Sequence, residues 1–118
     1  MSLINFDKRF AEAVANGMKQ QTIRKRRKRP IEVADRLYFY TGLRTKEAKK
    51  IGEGVCSRVS NITIDRQSIR LGKCYLTQQQ RDGVIWADGF TYLFQFVDWF
   101  QQHYGLPFEG VLIEWEPI

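Results

Sequence analysis

One histidine, two cysteines and three prolines are all that this chain of 118 residues carries of those types. His103 stands alone, and Cys56 and Cys74 show no paired spacing, so a structural zinc centre lacks its ligand set. Both cysteines lie among apolar, β-prone neighbours (GVCSRV and GKCYLT) and read as small buried hydrophobes rather than a disulfide or a reactive thiol. No apolar run reaches the roughly 18–20 residues of a bilayer-spanning helix. The N-terminal MSLINFDKRF lacks the basic-then-apolar order of a secretory signal, so a cytoplasmic compartment is expected and a membrane partner is not. Nothing in the composition calls for a metal or another cofactor.

Acid is missing from one place in particular. Between Lys19 and Arg29 there are seven basic residues and no carboxylate. The rest of the chain carries twelve basic and thirteen acidic residues, a net of −1 against +6 for the whole. The positive excess is therefore local, and local charge makes a patch with a field.

What is present is the material of a globular protein, 43% hydrophobic and 27% charged, with residues 1–118 read as a single domain able to build its own core. Helical spacing of Phe6, Phe10, Ala13, Val14 and Gly17 predicts a short helix over Asp7–Asn16. Asn5 or Asp7 would cap its start, and Gly17 suits the left-handed residue at its end. Strands are expected at Gln20–Arg24, Asp35–Thr41, Glu53–Ile64, Ser68–Leu71, Lys73–Leu76 and Gly110–Trp115. In Asp35–Thr41, Leu37 and Phe39 fall on one face and Tyr38 and Tyr40 on the other.

Thr77 is placed to cap a weak turn over Gln78–Asp82, and IWADGF leads into a strong helix over Thr91–Tyr104. Phe90, Leu93, Phe94, Val97 and Phe100 trace its apolar stripe, with Tyr92, Phe96 and Trp99 off it. The fold class expected is α+β: a small mixed β-barrel of five to six strands, closed by the last strand and flanked by helices.

Three features carry chemistry. Strand alternation sets Gln20, Thr22 and Arg24 on one face, and Lys19 reaches that side only from the turn after Gly17. A hydroxyl becomes a nucleophile when a neighbouring base takes its proton, and a lysine of lowered pKa is such a base. Lys19, Thr22 and Arg24 therefore form a candidate site, although a plain surface strand fits the same spacing. The second feature is Arg24–Arg29, a handle for a polyanion, with Arg44 and Lys46 in a second basic segment. The third is aromatic: most rings at helical spacing belong to the core, and Trp86 and Tyr92 are the candidates for stacking on bases. Asp88, in WADGF, is either the N-terminal cap of the following helix or a site carboxylate.

Together these pieces resemble the ASCH family of the PUA-like superfamily. The match runs through F-x-x-x-V-x-x-G-x-K-x-x-T-I-R at Phe10–Arg24, A-D-R-L-Y-F-Y-T-G at Ala34–Gly42, R-T-K at Arg44–Lys46 and D-G-F at Asp88–Phe90. An aromatic helix and a final strand follow, so nearly the whole chain is covered. The Y-T-G-x-R-T-K form resembles members from phages and prophages.

The resemblance implies a PUA-like barrel with a cleft and an interaction with nucleic acid, RNA foremost. It also implies an alternative, since some bacterial members are amidohydrolases that deacetylate N4-acetylcytidine with a Lys, a Thr and a Glu. By motif these are Lys19, Thr22 and Asp88. Asp88 is one methylene shorter than that glutamate, Ala34 stands where the family usually has glycine, and the loop after Arg24 is basic rather than acid-rich.

Three classes of function follow: a nucleic-acid-binding module using Arg24–Arg29, Arg44, Lys46, Trp86 and Tyr92; an amidohydrolase acting on a modified nucleoside; or a protein-interaction domain with an acidic partner. The basic loop favours the first.

Overall fold

The computed structural model describes residues 2–118 as an α+β fold with a mixed sheet. In chain order the elements are β1 (Ser2–Phe6), a 3-10 turn (Lys8–Phe10), α1 (Ala11–Ala15), β2 (Gln21–Arg24), β3 (Arg36–Thr41) and β4 (Lys49–Ile64). They continue with β5 (Ile69–Leu71), β6 (Cys74–Tyr75), α2 (Gln78–Ala87), α3 (Leu93–Tyr104) and β7 (Phe108–Pro117). The strands hydrogen-bond in the order β1–β3–β4–β5–β6, and β7 pairs with both β2 and β4. The final strand is thus paired internally, as its apolar GVLIEW run requires. No helix among the described residues is long and apolar enough to cross a membrane.

The chain forms two compact units. The first comprises Met1–Gln21, Lys28–Val59 and Ile113–Ile118; the second comprises Thr22–Arg27 and Ser60–Leu112. Strands β2, β4 and β7 contribute residues to each.

In the first unit β1 runs parallel to β3, from Ser2 opposite Leu37 to Phe6 opposite Thr41. β3 pairs antiparallel with β4, from Arg36 opposite Val55 to Thr41 opposite Lys49, with a register shift between Phe39 and Tyr40. Leu37, Phe39 and Thr41 are buried while Tyr38 and Tyr40 are half-buried, the alternation that a strand with one core face produces. Phe39 meets Trp115 at 4.6 Å between ring centroids and Phe6 at 5.8 Å. Trp115 is 2% exposed, so truncating it to alanine removes about 3–5 kcal/mol.

The expected helix over Asp7–Asn16 is a 3-10 turn running into the five-residue α1. Asp7 caps it, its Oδ1 accepting the Arg9 N–H at 3.0 Å, whereas Asn5 Oδ1 accepts the Leu43 N–H at 2.9 Å. Gly17 closes it at φ +81°.

In the second unit β4, β5 and β6 form an antiparallel meander, with Ile62 opposite Leu71 and Arg70 opposite Tyr75. Its core joins Ile62, Ile64 and Ile69 to Ile85 of α2 and to Phe96 and Phe100 of α3, each at most 2% exposed. Thr77 and Gln80 form a reciprocal cap at the start of α2: Thr77 Oγ1 accepts the Gln80 N–H at 3.2 Å and Gln80 Oε1 accepts the Thr77 N–H at 3.0 Å.

Several sequence expectations are corrected. Among the described residues there are seven strands rather than five or six, because β1 adds itself to β3. Helix α2 continues past Asp82 to Ala87, so IWA belongs to it rather than to the segment leading into α3. Helix α3 buries Val97 and Phe100 as the expected stripe requires, but it buries Phe96 at 0% exposure and presents Phe94 at 65%, so these two exchange places. Cys56 is buried, but Cys74 lies exposed on the two-residue β6.

Candidate functional site

The Gly17 turn delivers the chain to the motif. Lys19 donates its backbone N–H to Ala13 O at 2.9 Å, tying it to the end of α1. Its side chain is 6% exposed and its ammonium lies 4.8 Å from the centre of the Phe10 ring. A cation over an aromatic face gains from the ring quadrupole, and more so when water is excluded. Lys19 therefore belongs to the first unit, held on Phe10.

β2 follows with Gln21, Thr22 and Ile23 all buried, so both of its faces are covered. Arg24 Nε donates to Thr22 Oγ1 at 3.0 Å, which places the two side chains on one face as strand periodicity demands. The strand is tightly seated: a Cβ built on Gly110 would fall 2.4 Å from Arg24 O, so only glycine admits this approach.

Electrostatics single out Arg24. Burial lowers its pKa first, and the positive charge of Arg27 lowers it further, while Tyr104 and Asp88 act in the opposite direction. A guanidinium nonetheless stays charged across the physiological range. The structure thus couples three groups of the second unit to Arg24: Thr22 by hydrogen bond, and Arg27 and Asp88 by charge.

Asp88 is 9% exposed and is the residue that ends α2, its N–H donating to Val84 O at 3.1 Å. It does not cap α3, which overturns the capping expectation. That helix starts after Tyr92, whose N–H donates to Gln95 Oε1 at 3.2 Å. The reason is the length of α2: the chain turns at Gly89 (φ +99°), so Asp88 closes the preceding helix instead of opening the next.

Beyond Arg24 the basic side chains are exposed. Lys25 Nζ stands 5.1 Å from the centre of the Tyr104 ring, and Arg26 donates to Asn61 Oδ1. Among the described residues Lys25, Arg26, Lys28 and Arg29 form no ion pair with a carboxylate. Lys28 and Arg29 fall in the first unit, as do Arg44 and Lys46. Arg44 is exposed at φ +68°, in a turn where Thr45 Oγ1 donates to Gly42 O at 2.6 Å. Trp86 and Tyr92 are exposed at 73% and 57%.

Three participants went unread in the sequence. Tyr104 looks like one more apolar residue of α3, Asn61 like a strand residue, and Phe10 like core. Only the amphipathic character of tyrosine at a helix end offered a signal for Tyr104.

Compared with protein-family models, with curated proteins and with solved structures, the chain matches none.

Proposed function

We propose that this chain is an ASCH-type domain with a PUA-like barrel that binds nucleic acid, RNA foremost, through Arg24 and the cations that follow it. One observation carries this reading: Lys25, Arg26, Lys28 and Arg29 are exposed and, among the described residues, pair with no carboxylate. Phosphate oxygens would take their place, releasing condensed counterions from the polyanion. Arg24 is anchored differently from its neighbours, by Thr22 and by partial burial, and so offers a fixed point beside exposed charges. Pairing of β7 with β2 and β4 supports the barrel, and φ +77° at Ala34 supports the family, since glycine adopts that conformation without strain.

A labelled single-stranded RNA titrated into the protein at low salt tests the proposal. Saturable binding supports it, and no binding overturns it.

A second reading, an amidohydrolase acting on an acylated nucleoside, is favoured by the buried Thr22 hydroxyl and by Asp88 within the same charged group. Thr22 Oγ would attack the amide carbon and expel the amine, and water would then release the acyl group from Thr22. Arg24 would steady the oxyanion, and the resemblance assigns the base to Lys19 and the proton carrier to Asp88. The shorter Asp88 carboxylate counts against this chemistry, because a proton donor must come within about 2.6–3.2 Å of its partner.

A further inference from the structure

Exposed rings divide sharply between the two units. Among the described residues the large apolar side chains left exposed in the first unit are aliphatic: Leu3, Met18, Val33, Val55 and Ile118. Those of the second unit are all aromatic: Tyr75, Trp86, Tyr92, Phe94 and Tyr104, at 43–73% exposure. Composition does not explain the difference, because the first unit has six aromatic residues and leaves none of them exposed.

Four of these five rings have a cation or a second ring beside them. Arg70 lies 5.7 Å from the centre of the Tyr75 ring, and Lys25 lies 5.1 Å from that of Tyr104. Tyr92 and Phe94 stack on each other, with centroids 5.6 Å apart and planes 11° from parallel. The second unit as a whole carries eight basic residues against five acidic ones.

We infer that the second unit reads bases as well as phosphates, stacking the unpaired bases of a single strand on Tyr75, Trp86 and the Tyr92–Phe94 pair. The inference rests on the nucleic-acid reading above and adds the form of the ligand. A ring with a cation at its side offers a surface for a base and a charge for that nucleotide's phosphate. A parallel pair of rings extends a stack by one more layer, a role that bases inside a duplex cannot fill because their faces are already covered. The cations beside two of the exposed rings, Arg70 at Tyr75 and Lys25 at Tyr104, favour a polyanion over an apolar peptide.

The test uses the full chain and two strands of about twelve nucleotides, a mixed-sequence single-stranded RNA and an abasic strand of equal length and charge. The RNA is expected to bind at least tenfold more tightly and to quench tryptophan fluorescence. Trp86→Ala and Tyr92→Ala are each expected to weaken RNA binding by roughly tenfold while leaving the abasic strand's affinity and the circular dichroism unchanged. Equal affinity for the two strands would overturn the inference and leave the phosphate-binding proposal standing. Failure of both strands to bind would overturn that proposal as well. A dimer in sedimentation that dissociates on Trp86→Ala, with RNA affinity unaltered, would assign the rings to a second copy and also overturn the inference.

Discussion

Arg24 Nε donates to Thr22 Oγ1 at 3.0 Å, on a strand whose residues Gln21, Thr22 and Ile23 are buried. That bond fixes the cation from which the exposed basic run continues. Thr22→Val keeps the side-chain volume and removes the acceptor, so the Arg24 guanidinium loses a partner in a partly buried place. A loss of about 1–2 kcal/mol is expected, and thermal unfolding measures it as a fall in Tm of several degrees.

Ala34 has φ +77° while its N–H donates to Cys56 O at 2.8 Å, so the backbone is held in a conformation that strains any residue with a Cβ. Ala34→Gly relieves the strain but gives the unfolded chain more freedom. The net expectation is a gain of about 0.5–1 kcal/mol, read as a higher urea midpoint at unchanged m. An unchanged or lower midpoint would show that the strain at Ala34 does not exceed the entropy that glycine gives the unfolded chain.

The two thiols are expected to behave oppositely. Cys74 is exposed and should alkylate in the native protein, whereas Cys56 should react only on unfolding. Burial raises the Cys56 pKa above its ordinary value, ahead of a weaker opposing hydrogen bond involving Arg58. Above about pH 8.5 the unfolded thiol ionises while the folded one keeps its proton, so this group's contribution to stability declines as pH rises. Urea titrations across that range should show the decline in the wild type and less of it in Cys56→Ala.

Catalysis is the reading at greatest risk from Asp88. Little or no turnover of N4-acetylcytidine is expected from the wild type, and Asp88→Glu is expected to raise it by restoring the missing methylene. Chromatography of the nucleoside before and after incubation measures both. Brisk wild-type turnover that disappears in Thr22→Ala would make the amidohydrolase the better description.

Much of this architecture is legible wherever a local rule decides it. Leu37, Phe39 and Thr41 follow strand alternation, Thr77 and Gln80 form a reciprocal cap, and Gly17 takes the left-handed position. Where tertiary contacts decide, the sequence falls short. β1 offers only Ile4 and Phe6 to the core, and its strand conformation depends on β3. Helix α2 buries only Ile85, too little for its periodicity to show, and its true length moves Asp88 to a different helix end. Helix α3 is apolar on most sides, so its buried face is chosen by its neighbours: Phe96 packs against Phe90 and Phe100, and Phe94 is left outside. Of the site, the shared face of Thr22 and Arg24 follows from strand period alone. The charge coupling of Arg24 to Asp88 needs the fold.

The central claim is that the exposed cations after Arg24 bind phosphate, and the salt dependence of affinity tests it most directly. Affinity for a single-stranded RNA is measured at several salt concentrations for the wild type and for a variant with Lys25, Arg26, Arg27, Lys28 and Arg29 replaced by Gln. The slope of log K against log salt is expected to flatten by about 0.7 for each lost phosphate contact, with weaker binding at every salt concentration. An unchanged slope and affinity in the variant would contradict the claim and leave the loop only a role in solubility.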